Sequence, residues 1–144
     1  MTKSKETPVY VGQKAFINKD GKILVLRDRT RLVESQTGLD LPGGRFRWGN
    51  KLSNELKREV KEETGLTIVI GKPFIIWTNV KTKRRGVKSK LVLIGYFCKY
   101  KSGEVKLSDE HDYYEWVDKK SYKKWKDGTE YFEVLEEYFK NSDS

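Results

Sequence analysis

Apolar and polar positions along the chain fall into short runs whose period changes several times. Val9–Asn18 is rich in β-formers, Lys19-Asp20-Gly21-Lys22 supplies turn chemistry, and Ile23–Leu26 is a short apolar run. Val9–Arg27 therefore predicts a hairpin. Thr30–Gly38 is polar and predicts a loop. Leu39–Pro42 predicts a short extended segment, since the residue before a proline is biased away from helix, and Gly43-Gly44 then breaks the chain. Leu52–Thr64 has helical periodicity, with Gly65 placed to cap its C-terminus. Thr67–Trp77 and Leu91–Tyr100 read as strands on either side of Lys81–Lys90, which predicts a protruding hairpin tip. Tyr113–Val117 predicts a short strand. Thr129–Lys140 predicts a second helix, with Tyr131, Val134, Leu135 and Tyr138 at i, i+3, i+4 and i+7. Strands and helices alternate without a repeat or linker, so the expectation is one α/β (α+β) domain, a sheet with covering helices.

The helix at Leu52–Thr64 departs from a plain packing helix. On a wheel of about 100° per residue, Leu52, Leu56 and Val60 form a stripe, and Glu63 falls inside it at about 20° from Leu52. Glu55, Glu59 and Glu62 cluster on the adjoining arc, and Arg58 lies off that acidic face. Like charges at i, i+4 repel by a few tenths of a kcal/mol, so four clustered carboxylates need compensation. Arg58 could pair with Glu62 or Glu55. A hard divalent cation, Mg²⁺ or Mn²⁺, would compensate better. Spacing alone leaves open a salt-bridged helix edge or a metal site.

Composition narrows the class. The 144 residues, numbered 1–144, fit one domain, with residues 1–7 and 141–144 expected as flexible tails. With 36% apolar and 12% aromatic residues there is material for a core. The single Cys98 excludes an internal disulfide or a cysteine-built zinc cluster and predicts a buried thiol. No apolar run approaches bilayer-spanning length, and Met1–Pro8 lacks a signal-peptide core, so the expectation is an intracellular, cytoplasmic protein without a membrane partner. The net charge of +9 argues for steering of anions before it argues for a function.

The run from Gly44 through Asn50 to Arg58-Glu59-Val60-Lys61-Glu62-Glu63-Thr64-Gly65-Leu66 resembles the Nudix box, G-x5-E-x7-R-E-U-x-E-E-x-G-U with U aliphatic. Eight of its nine defined positions match, and Leu41-Pro42-Gly43 fits the usual lead-in. The resemblance implies a mixed β-sheet sandwiched between α-helices and a pyrophosphohydrolase of nucleoside diphosphate derivatives, a MutT-like nucleoside triphosphate pyrophosphatase in the first instance. It implies that Glu59, Glu62 and Glu63 hold Mg²⁺ or Mn²⁺ with the Gly43 carbonyl, that Glu62 belongs to the catalytic set, and that Arg58 orients the glutamates. Many relatives dimerise, so a monomer or a homodimer is compatible.

One box position departs: Asn50 stands where the family has glutamate. Asn50 could cap the helix, or its loss of charge could leave a nucleotide- or RNA-binding module without hydrolysis. Glu55, one turn before Glu59, is a candidate compensating carboxylate. The general base lies outside the box in this family, and Glu110 is the first candidate, with His111 and Asp112 behind it. His111, the only histidine, excludes a metal site built on histidines and reads more readily as an exposed loop residue. Trp116 is expected in the core. Phe46 and Trp48 could stack on a base or sugar. Gly44, Arg45, Arg47 and Arg27 are candidate substrate contacts, the arginines through bidentate phosphate binding. Lys81, Lys83, Arg84, Arg85, Lys88 and Lys90 are either a solvated turn or an attractor for nucleotides or RNA 5′-ends.

Overall fold

The computed structural model describes residues 8–82 and 88–141. Strands β1 (Val9–Lys19), β2 (Lys22–Arg27), β3 (Leu39–Asp40) and β4 (Gly43–Arg45) precede helix α1 (Leu52–Thr64). Long strands β5 (Thr67–Thr82) and β6 (Lys88–Ser102), short β7 (Tyr113–Val117) and helix α2 (Glu130–Asn141) follow. The path of the sheet is β3-β2-β1-β6-β5, with β4 added to β1 and β7 to β2. All pairings are antiparallel except β1 with β6, so the sheet is mixed.

The predicted hairpin is present, turned at Asp20 (φ 54°) and Gly21 (φ 82°), the left-handed pair that a two-residue turn requires. It is a hairpin only at its base. After Asn18↔Ile23 and Lys19↔Lys22 the strands separate, β1 pairing with β4 from Gly12 to Lys14 and β2 pairing with β3 at Leu26 and Arg27. The segment Leu39–Arg45 thus fills a split in the sheet, held by the Ala15 N–H donating to the Pro42 carbonyl at 2.8 Å.

Each face of the sheet carries one helix. Leu56 and Val60 of α1 pack on Ala15, Ile17, Leu24, Leu26, Tyr96 and Cys98. On the other face Tyr131, Leu135 and Tyr138 of α2 pack on Phe16, Trp77 and Leu93. The expected sandwich, and the buried Cys98, are therefore observed. Trp116 packs, partly buried, against the α1 cluster. Gly65 caps α1 in the left-handed region (φ 77°), its N–H donating to the Lys61 carbonyl at 2.9 Å. Two local expectations need correction. Leu52, placed in the apolar stripe, is 46% exposed, because it opens the helix before the helix reaches the sheet. Asn50 does not cap α1: Lys51 holds that position without a side-chain bond. Half of the expected tip at Lys81–Lys90, residues 83–87, lies outside the described residues, as do the tails at 1–7 and 142–144. Asn141 itself closes α2. Among the described residues no helix is long and apolar enough to cross a membrane.

Candidate active site

The split between β1 and β2 opens onto a cavity of about 360 Å³, within the range of small-molecule sites. Its walls come from Tyr10, Gly12 and Lys14 of β1, the Gly43-Gly44-Arg45 strand, Asn79 and Leu91 of the long strands, Glu59 and Glu63 of α1, and Glu110. Glycine is obligatory at 43. Its φ is +134°, and a Cβ there would lie 2.0 Å from the Gln13 carbonyl oxygen. The backbone approach has a purpose on the α1 side, where the Gly43 N–H donates to Glu63 Oε1 at 2.9 Å. A Cβ on Gly44 would lie 3.0 Å from Glu59 Oε2. The diglycine therefore brings main chain directly against two carboxylates of the helix.

The charge on α1 is arranged around Arg58, which the wheel placed off the acidic face. Its long side chain reaches across that face instead. Nη2 donates to Glu55 Oε2 at 2.9 Å and Glu59 Oε1 at 3.1 Å, and Nη1 to Glu62 Oε1 at 2.9 Å. These hydrogen bonds, led by the one to Glu55, raise the Arg58 pKa further. Asn50 donates through Nδ2 to Glu55 Oε1 at 3.0 Å. With Arg58 and Asn50 both donating, the buried Glu55 carboxyl is held below its ordinary range. Glu62 is 59% exposed at its side chain and lies outside the cavity lining.

Beneath the carboxylates is a buried charge network. Lys14 Nζ donates to Asp40 Oδ1 at 2.9 Å and to the Leu41 carbonyl at 3.1 Å, with a longer contact of 3.5 Å to the Gly43 carbonyl. His111, expected as an exposed loop residue, is buried, with Nε2 2.9 Å from Asp40 Oδ2. The correction has a long-range cause, since this pair joins positions 71 apart in sequence. Burial alone would raise Asp40, but Lys14, His111 and Arg31 outweigh it and hold the carboxyl well below the usual range. Burial alone would lower the Lys14 ammonium, and Asp40, Tyr131 and Glu63 outweigh it upward. Burial would likewise lower His111, and its bond to Asp40 raises it. Glu63 goes the other way: burial, reinforced by Asp40, pushes it up to about 8 against the opposing Lys14 and the Gly43 N–H. Arg31 backs the network, donating to the Leu39 carbonyl at 2.8 Å and lying 3.7 Å over the Tyr131 ring.

This donor set fits a divalent cation. Glu59 Oε2 faces the diglycine, Glu63 is an acid that burial and the nearby Asp40 push up to about 8, and Glu63, Glu110 and His111 each bring a ligand atom within 4.8 Å of one another. Carboxylate and carbonyl oxygens are the hard donors that Mg²⁺ and Mn²⁺ take. A cation must displace the Glu63 proton, so binding is linked to pH. Below about 8 the carboxyl is protonated in the free protein. Divalent-cation affinity measured by calorimetry should therefore rise by about tenfold per pH unit from pH 6 toward 8 and then flatten. A flat profile across that window would show that Glu63 is not among the ligands.

The NUDIX domain family matches residues 11–138. The chain belongs to the NUDIX domain family. As a Nudix hydrolase it is similar over 95% of its length to the MutT protein from Methanosarcina mazei Go1, with 32% identity, 96% of that chain covered and a TM-score of 0.75. A MutT NUDIX hydrolase from Burkholderia pseudomallei is 25% identical (TM-score 0.56), with 76% of this chain and 82% of that one covered. An ADP-ribose pyrophosphatase from Streptococcus suis 89-1591 shares the fold at 20% identity and a TM-score of 0.56, with 76% and 73% covered. Among curated proteins none matches this sequence.

The site residues expected from the sequence, inside and outside the Nudix box, are distributed unevenly. Glu59, Glu63, Gly43, Gly44, Arg45, Arg47 and Glu110 line the cavity together. Glu62, Glu55, Trp48 and Arg27 do not. Arg27 instead makes a two-point pair with Asp112, at 2.8 and 3.2 Å. Trp48 is 93% exposed and packs edge-on against Phe46. Sequence reasoning passed over Lys14, Asp40, Arg31, Asn79 and Tyr10. For Lys14 there was a signal: a lysine followed by the apolar run Ala15-Phe16-Ile17 in mid-strand needs a partner to be buried.

Proposed function

We propose that the protein is a Mg²⁺-dependent pyrophosphohydrolase that cleaves a diphosphate linkage in a nucleoside triphosphate or related nucleoside diphosphate derivative. The observation that carries this reading is the meeting of Glu59, Glu63 and Glu110 with the Gly43-Gly44 backbone in a cavity that Lys14, Arg31, Arg45 and Lys81 also line. Carboxylates and cationic groups lining one cavity suit a cation and a polyphosphate held side by side. When bound, Mg²⁺ would neutralise the diphosphate and acidify a water, with Glu59, Glu62, Glu63 and the Gly43 carbonyl as its expected holders. Arg45 and Arg47 bind phosphate oxygens, Arg45 already being set over the Tyr10 ring at 4.0 Å. Glu110, exposed at the mouth, accepts the proton of the attacking water. Arg58 acts as a positioning residue for Glu59 and Glu62. Glu55 keeps a supporting role: held by the Asn50 amide, its carboxylate accepts from Arg58 and so fixes the arginine that orders the set.

A second substrate reading has its own support. The Phe46-Trp48 pair stands outside the cavity beside Arg45 and Arg47, where the next base of an RNA 5′-end could stack. Product release from a panel of nucleoside triphosphates, nucleoside diphosphate sugars and a 5′-triphosphorylated oligoribonucleotide, with Mg²⁺, tests both. Turnover of mononucleotides that Trp48→Ala leaves intact supports the first reading. A loss of about 5- to 100-fold confined to the oligonucleotide, the value of one base stack, supports the second. Binding without turnover of any member would sink the enzyme reading in favour of a binding module.

A further inference from the structure

His111 carries an unexplained nitrogen. The residue is 6% exposed, its Nε2 is engaged by Asp40 Oδ2, and its Nδ1 is buried with no partner among the described residues. Buried polar atoms without partners are rare in folded proteins, and each calls for a ligand or a role. The surroundings supply one. A ring nitrogen of His111 lies within 4.8 Å of carboxylate oxygens of both Glu63 and Glu110, and those two oxygens lie within the same distance of each other. Ligand atoms about 2.0–2.2 Å from one ion lie about 3–4 Å apart, so the three groups would draw together on binding.

The bond to Asp40 decides which nitrogen is available. In the neutral ring that donates Nε2–H to a carboxylate the lone pair is on Nδ1, and a carboxylate behind the ring is how metal-binding histidines are oriented. Asp40 is itself fixed by Lys14 and by the Leu41 N–H at 2.8 Å. We propose that His111, through Nδ1, is a ligand of the cation that Glu63 and Glu110 also hold, giving a mixed nitrogen and oxygen donor set. The proposal rests on reading the site as a cation centre and goes beyond the carboxylates of the box. A lone histidine cannot build a histidine cage, but it can join carboxylates. The cation takes the place of any proton on Nδ1. Glu110 contributes one oxygen and keeps the other for the water proton. A competing trio, Asp28, Asp40 and His111, has the same reach, but a cation there would face the Lys14 ammonium 2.9 Å from Asp40. An imidazole ligand shifts preference from Mg²⁺ toward later first-row ions such as Mn²⁺ and Co²⁺.

Pulsed electron paramagnetic resonance of the Mn²⁺-loaded full chain tests this without a variant. His111 is the only histidine, so imidazole ¹⁴N coupling to Mn²⁺ can come from no other side chain. The expected result is imidazole coupling in the wild type that disappears in His111→Gln, with Mn²⁺ affinity lowered by about tenfold or more. Should that variant fail to fold, Glu110→Gln, altered at an exposed position, is expected to keep the coupling and bind Mn²⁺ about tenfold more weakly or worse. Mn²⁺ bound without nitrogen coupling, or coupling that survives in His111→Gln, overturns the proposal while leaving the cation centre standing. No Mn²⁺ binding at all overturns both.

Discussion

Glu63→Gln is expected to remove metal-dependent turnover while leaving the fold as stable as before. The two effects separate because burial raises this carboxyl to about 8, so at pH 7 the metal-free protein holds it neutral. A glutamine has the same shape, and its amide oxygen can still accept the Gly43 N–H now taken by Glu63 Oε1. What the variant cannot do is ionise. Losing a direct ligand should cost more than the about 10–100-fold that losing a partner behind a ligand costs, so kcat/KM should fall by at least about 100-fold. Denaturant unfolding without metal should agree with wild type within about 1 kcal/mol. A variant that melts early would mean that Glu63 serves the core and not the cavity.

Asp40→Ala is expected to give the largest loss of stability, about 3–5 kcal/mol. Its carboxylate is the partner of Lys14 and His111 and also accepts the Leu41 N–H. Without it the Lys14 ammonium stays buried with the Leu41 and Gly43 carbonyls as its remaining hydrogen-bond acceptors among the described residues. Removing both charges in Lys14→Met, Asp40→Leu should recover much of the loss, because a well-packed apolar pair escapes the cost of burying ions. The sign of the pH response follows from Asp40 being held below its ordinary value. Its contribution is present above the unfolded carboxyl pKa and is lost as pH falls toward the folded value. Acid unfolding of wild type should therefore steepen below about pH 4, and Asp40→Ala should lack that component.

Much of this was legible along the chain because the deciding patterns are local. The period of Leu56, Val60 and Glu63, the cap at Gly65, and the turn at Asp20-Gly21 are each settled within a few residues, and all appear where the pattern put them. The box likewise concentrates its glutamates in one helix. What was not legible depends on distant positions meeting. The hairpin splits because β3 and β4 enter between its strands, which neither strand's pattern records. Lys14 meets Asp40 across 26 positions and His111 meets Asp40 across 71. The wheel placed Arg58 off the acidic face by its Cα, and spacing offered Glu55 or Glu62 as its partner, whereas its side chain reaches both of them and Glu59 as well. Asn50 looked like a cap because its type is right for one, yet its amide is used by Glu55.

Hydrolysis in ¹⁸O-labelled water, read by mass spectrometry of the phosphorylated products, tests the central claim most directly. With Mg²⁺ and a nucleoside triphosphate or diphosphate derivative, the wild type should release products with one ¹⁸O on a single phosphorus of the cleaved diphosphate. Chelation of the metal or the Glu63→Gln change should abolish that incorporation. Label-free products, or labelled products formed equally well without the metal and in Glu63→Gln, would contradict it.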